Sequence, residues 1–151
     1  MSDLTDAWET HARIQLYVLD AVAPEALDAK GLKGRSVGHQ VAHIHDVRRM
    51  WLQSAALDLL EGIDKLGKDH NGDKARLAEA LRLSGRAIAT LVERAETGGR
   101  LKGFTKSPTA FVGYLISHEA YHQGDIGVRL AESGFPLDKK TAFGMFEWGT
   151  R

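Results

Sequence analysis

A chain of 151 residues, 43% hydrophobic and 26% charged, is sized for one compact domain with one core and leaves no room for a second. Twenty basic residues balance twenty acidic ones, which excludes a general electrostatic pull toward nucleic acid or an anionic membrane surface. The absence of cysteine excludes disulfides and thiolate ligands, so any metal must be held by His, Asp or Glu.

The first segment, MSDLTDAWET, is acidic and lacks the basic start and apolar run of a signal peptide. No apolar stretch approaches the roughly 20 residues of a bilayer span, so a cytoplasmic protein is expected. A first helix is predicted over residues 3–23, where Pro24 discourages continuation. Its stripe takes in Leu4, Ala7, Trp8, Ile14, Val18 and Val22, with His11 on the same face. Ser36 is a good N-cap for a second helix over residues 37–60, whose stripe is Val37, Val41, Ile44, Trp51, Leu52 and Ala55. Gly62, Gly67, Asn71 and Gly72 mark a loop. A third helix over residues 73–96 carries Leu77, Leu81, Ile88, Leu91 and Ala95 at three- and four-residue steps, and Gly98-Gly99 stops it. Ser107-Pro108 opens a fourth helix that runs to about Ser133, with Gly134 just past its end. The tail holds Phe135, Phe143, Phe146 and Trp148, too many rings for a disordered segment, so it is expected to pack back on the helices. Four helices of roughly 20 residues, with no strand pattern, predict an all-α four-helix bundle spanning 1–151.

Bundles build metal sites from side chains on facing helices, which directs attention to the seven histidines. His118 and His122 stand one turn apart, on a stripe shared with Phe111, Leu115, Ile126 and Arg129. Two adjacent imidazoles are poor core fillers, because each must stay neutral and find hydrogen-bond partners. A shared cation meets both demands. The second helix offers His39, His43 and His45. His43 lies beside the apolar stripe and is the expected third ligand. His39 is expected to be exposed or beside the site, and His45, about 200° round from His43, to be at the surface near Asp46 and Arg49. His70 is expected in solvent, and His11 in the core or lining a pocket. Three neutral imidazoles would leave a divalent ion its full charge and open coordination positions, suited to activating water or accepting an anionic or thiolate substrate.

The segment His118-Glu119-Ala120-Tyr121-His122 also fits the HExxH pattern, in which two histidines bind zinc and the glutamate is the general base of a protease. The extended pattern would need glycine and histidine where this chain has Asp125 and Val128, and no strands are predicted to align a peptide substrate.

The sequence from Ser36 through Val41-Ala42-His43-Ile44, followed by Arg49-Met50-Trp51-Leu52, resembles the second helix of the DinB-like (DinB/YfiT) superfamily. His118-Glu119-Ala120-Tyr121-His122-Gln123-Gly124-Asp125-Ile126 is similar to that family's HxxxHRGQ stretch, and Phe146-Glu147-Trp148-Gly149 to a common family ending. Gln123 stands where arginine is frequent and Asp125 where glutamine is frequent. The resemblance implies a four-helix bundle with a long crossover connection and His43, His118 and His122 as metal ligands. It further implies zinc or nickel, a homodimer, and a small-molecule substrate, with a low-molecular-weight thiol as possible co-substrate. The function expected is a metal-dependent enzyme of thiol S-transferase or hydrolase type. Glu119, Tyr121, Asp125, Arg129 and His11 are candidates for the pocket wall, and Glu119 alternatively for the surface. A non-catalytic binding or stress-response protein stabilised by its metal is the alternative.

Overall fold

The computed structural model describes all residues, Met1–Arg151. Every α-helix in it starts on a capping side chain. Ser2, Ser36, Asp73, Ser107 and Asp138 each accept a hydrogen bond from the backbone N–H three residues on, satisfying a donor that the helix itself cannot. The helices that follow are α1 (Asp3–Ala21), α2 (Val37–Ala55), α3 (Lys74–Gly98), α4 (Pro108–Glu132) and a short α5 (Lys139–Gly144). There is no strand, only an isolated bridge between Leu101 and Phe104. No helix is long and apolar enough to cross a membrane.

Side-chain pairings fix the direction of each helix. The Ser2 hydroxyl meets Glu96, and Lys74 meets the carbonyls of Asp20 and Val22, so α1 and α3 run antiparallel. Gln40 lies against His122 and Arg48 against Glu119, so α2 and α4 are also antiparallel. Arg48 reaches Leu81 while Asp58 reaches Arg94, so α2 and α3 run parallel. The order is therefore up, down, down, up. Residues 56–73 must carry the chain back along the bundle between two parallel helices, and this is the long crossover. Here α2 ends five residues earlier than predicted. The chain leaves it at Ala56 (φ −156°, ψ 72°), passes through a 3-10 turn at Leu57–Leu60, and buries Ile63 and Leu66 in the core.

Two apolar clusters make up that core. One gathers around Trp8, Leu52, Ile88, Val92, Phe111 and Leu115, the other around Leu27, Val37, Ile44, Leu77 and Leu130. On all four long helices a buried polar residue separates them: His11, Arg48, Ser84 and Glu119. The tail packs on the bundle as expected, but through Thr141 and Gly144 rather than through its rings. Phe143 is 71% and Phe146 77% exposed, and Phe135 and Trp148 are only partly covered. Gly144 lies so close to the Tyr17 ring, which Arg151 covers from 3.8 Å, that no side chain would fit there.

Candidate metal centre

The three expected histidines come together. Their donor atoms lie within 4.8 Å of one another, a spread that small ring rotations would close on one ion. His43, from α2, stands with its ring centroid 5.4 Å from that of His118 and 4.7 Å from that of His122, both on α4. All three rings are half-buried. The core of α4 does not run through them, as the predicted stripe had it. Phe111, Val112, Leu115, Glu119, Ile126 and Leu130 are its buried face, and the histidine pair sits on the flank turned toward α2.

That flank keeps the rings neutral. Burial, then the charge of Arg35 and the neighbouring histidines, lowers His43 to about 4. Burial lowers His118, and burial, then His118 and Arg35, lowers His122. Neutral imidazoles are the form that binds a metal. His122 Nδ1 faces Gln40 Oε1 at 3.4 Å; an amide oxygen can only accept, so Nδ1 carries the hydrogen and Nε2 keeps its lone pair. Such a partner behind a ligating ring is the usual device for fixing its tautomer and direction. His118 Nδ1 is buried without any hydrogen-bond partner, an uncompensated polarity that an ion bound at that nitrogen would relieve. Both observations fit a metal.

The remaining candidates divide. Tyr121 is 75% exposed and edge-on to His122, so it rims the triad instead of walling a pocket. Asp125 is held below the usual carboxylate range, first by its 2.7 Å bond from Arg129, and its charge bears on His122, so it flanks the triad while Arg129 is tied to it. Glu119 is neither at the surface nor among the three histidines. It is fully buried, with Oε1 and Oε2 gripped by the Arg48 guanidinium at 2.7 and 2.8 Å and Oε2 also 2.8 Å from His11 Nε2. Burial alone would raise its pKa, but Arg48 and His11 together bring it down to about 2. A carboxylate so committed has no oxygen free to act as a general base, which removes the basis of the HExxH reading. His11 is buried and also lines a cavity, as both parts of its expectation had it, but on the far side of Glu119 from the triad.

The other histidines differ in outcome. His45 is buried, not at the surface: its Nε2 donates to the Asp64 carbonyl at 2.8 Å, pinning the crossover. His39 is half-buried, and its charge bears on His43. His70 is only partly in solvent, its Nδ1 accepting from the Gly67 N–H. The sequence reading missed Arg35, Gln40, Tyr114 (stacked beside His118) and Arg48. Arg48 had a signal, since it continues the Val41, Ile44, Leu52 stripe; the others had none.

Comparison with known proteins settles the family. A family model described as "DinB family" matches residues 1–142. The chain belongs to the DinB family. No curated protein and no solved structure matches it. The resemblance of His43 and the His118–Ile126 segment to DinB-like sequences thus holds for nearly the whole chain, and the all-α bundle agrees with it.

Proposed function

We propose that this DinB-family chain is a metal-dependent enzyme, of thiol S-transferase or hydrolase type, that acts on a small molecule at a divalent ion held by His43, His118 and His122. The observation that carries this reading is the set of three neutral, half-exposed imidazoles converging from two helices. Bound there, a divalent ion would supply a Lewis acid with its charge undiminished by its ligands and with positions open to substrate or water.

The chain's own residues add direction. Gln40 orients His122, and Tyr114 and Tyr121 flank the rings. Arg35, exposed on the loop before α2, is a cation whose charge bears on both His43 and His122. Its charge favours a substrate that arrives with an anionic group, a thiolate among them.

The test is elemental analysis of protein purified without an affinity tag, wild type beside His43→Ala, His118→Ala and His122→Ala. About one divalent ion per chain is expected in the wild type, as one such donor set holds one ion, with little left in each variant. Metal retained in His43→Ala would move the third ligand to His39. A wild type that takes up neither zinc nor nickel when supplied with them would sink the reading.

A further inference from the structure

On the flank of α4 away from the histidine triad, the chain forms a second site, open on one side to solvent. A cavity of about 620 Å³ lies between α1, α4 and the tail. Ten of its fifteen lining residues are hydrophobic, and its volume is within the range of small-molecule sites. Along α4 the wall is made of Ile116, Ala120, Gly124 and Gly127, and the last three leave the space open because their side chains are short or absent. The exposed rings of Phe146 and Trp148 stand at its edge.

The polar wall is what gives this cavity a chemistry. His11 is only 4% exposed, yet it lines the cavity. Its Nε2 is 2.8 Å from Glu119 Oε2, and Glu119, doubly bound by Arg48, is a carboxylate that can only accept. Nε2 is therefore the donor. The ring's other nitrogen, Nδ1, points away from Glu119 and has no hydrogen-bond partner in the chain, and in the neutral ring it is an acceptor. Gln123 also lines the cavity, with its Oε1 already taken by Gln15 at 2.6 Å and one amide hydrogen still free after its contact with the Met145 sulfur. An unpartnered acceptor and a free donor, set in an apolar cavity, match the two faces of a hydroxyl group.

We propose that this cavity binds an apolar small molecule carrying one hydroxyl group, whose O–H donates to His11 Nδ1 while its body fills the space along Ala120, Gly124 and Gly127. The Glu119–Arg48 pair is the fixed support that aims the His11 ring. An aromatic alcohol suits the site best, since the rim is aromatic and offset or edge-on ring contacts add to apolar burial. The site is separate from the triad and does not depend on a metal.

Calorimetric titration with 1-naphthol and with 1-methoxynaphthalene, which has the same rings and no O–H, tests this on wild-type protein with and without prior chelation. Saturable 1-naphthol binding is expected in both preparations, with the methoxy compound about tenfold weaker for want of one hydrogen bond. Gly127→Leu places a side chain where no neighbouring atom lies within 4 Å, so it should fill the cavity without disturbing the helix. It is expected to weaken 1-naphthol by at least about tenfold, through lost volume, with helicity and metal content unchanged. Three outcomes would overturn the proposal: no saturable binding, equal affinity for the two compounds, or binding that survives Gly127→Leu. Binding lost on chelation or in His118→Ala would place the ligand at the triad and equally overturn it. A dimer that takes up no 1-naphthol and dissociates on Gly127→Leu would assign the cavity to an interface between copies. The metal reading stands or falls on elemental analysis alone, so the two can fail separately.

Discussion

Arg48 has no exposed surface and divides its hydrogen bonds between Glu119, the Leu81 carbonyl and Ser84, with its guanidinium 5.1 Å from the Trp8 ring centre. A buried ion pair is weak evidence for net stability, but removing one partner strands the other charge in the core. Arg48→Met is therefore expected to destabilise the fold by about 3–5 kcal/mol, and the double variant Arg48→Met, Glu119→Leu by much less. Urea denaturation of the three proteins decides it; equal losses in the single and double variants would contradict the pairing. The pH dependence has a definite sign. The folded pKa of Glu119, about 2, lies below that of an unfolded glutamate, so the pair's contribution is complete above about pH 4.3 and is lost as pH falls toward 2. The stability gap between wild type and the double variant should shift in that window and stay flat above it. At this scale the triad was legible in the sequence, because one turn separates His118 from His122 and His43 sits beside an apolar stripe. Glu119 was not. Its position depends on a one-residue shift of the α4 core face, which keeps Leu115 and Ile126 but exchanges His118 for Glu119 and Arg129 for Leu130, and only the packing against α1 and α2 fixes that rotation.

The elements themselves were largely written in capping residues and glycines, since Ser36, Ser107 and Pro108 start their helices where the pattern placed them. What the pattern could not show is how the crossover closes over α2. His45 and Arg49 reach out of that helix to the carbonyls of Asp64 and Ile63, at 2.8 and 2.7 Å, so the helix is covered on a side that periodicity left open to solvent. Gly38 marks the closest approach. A Cβ there would collide with the Asn71 backbone carbonyl, which cannot swing aside as a side-chain end could. Gly38→Ala is expected to cost about 1–3 kcal/mol as an overpacked contact, despite alanine's better helix propensity. Gly113→Ala, exposed on α4 with no neighbouring atom within 4 Å, is expected to gain about 0.5–1 kcal/mol instead. Thermal melts of the two variants test the pair, and a neutral or stabilising Gly38→Ala would show that the crossover does not press on α2.

For the whole molecule, the question is whether the fold would need a metal at the triad. The triad joins α2 to α4 and nothing else. The buried polar layer joins all four long helices, with His11 from α1, Arg48 from α2, Leu81 and Ser84 from α3, and Glu119 from α4. Two apolar clusters close over it from either end. The bundle is thus assembled by contacts that remain when an ion is removed. Its loss removes only the linkage stabilisation, about 2.7 kcal/mol at a free metal concentration a hundred times the Kd. Chelated protein is therefore expected to keep its helical circular dichroism and a cooperative melt, at a lower Tm that returns when metal is restored. Arg48→Met, with metal present, should lower the Tm further than chelation lowers that of the wild type. Unfolding on chelation would reverse this order and mark the ion as a structural clamp, the behaviour of a metal-stabilised binding protein. A bundle that stands without its metal leaves the three histidines free to serve chemistry, because nothing in their placement is then required to hold the helices together.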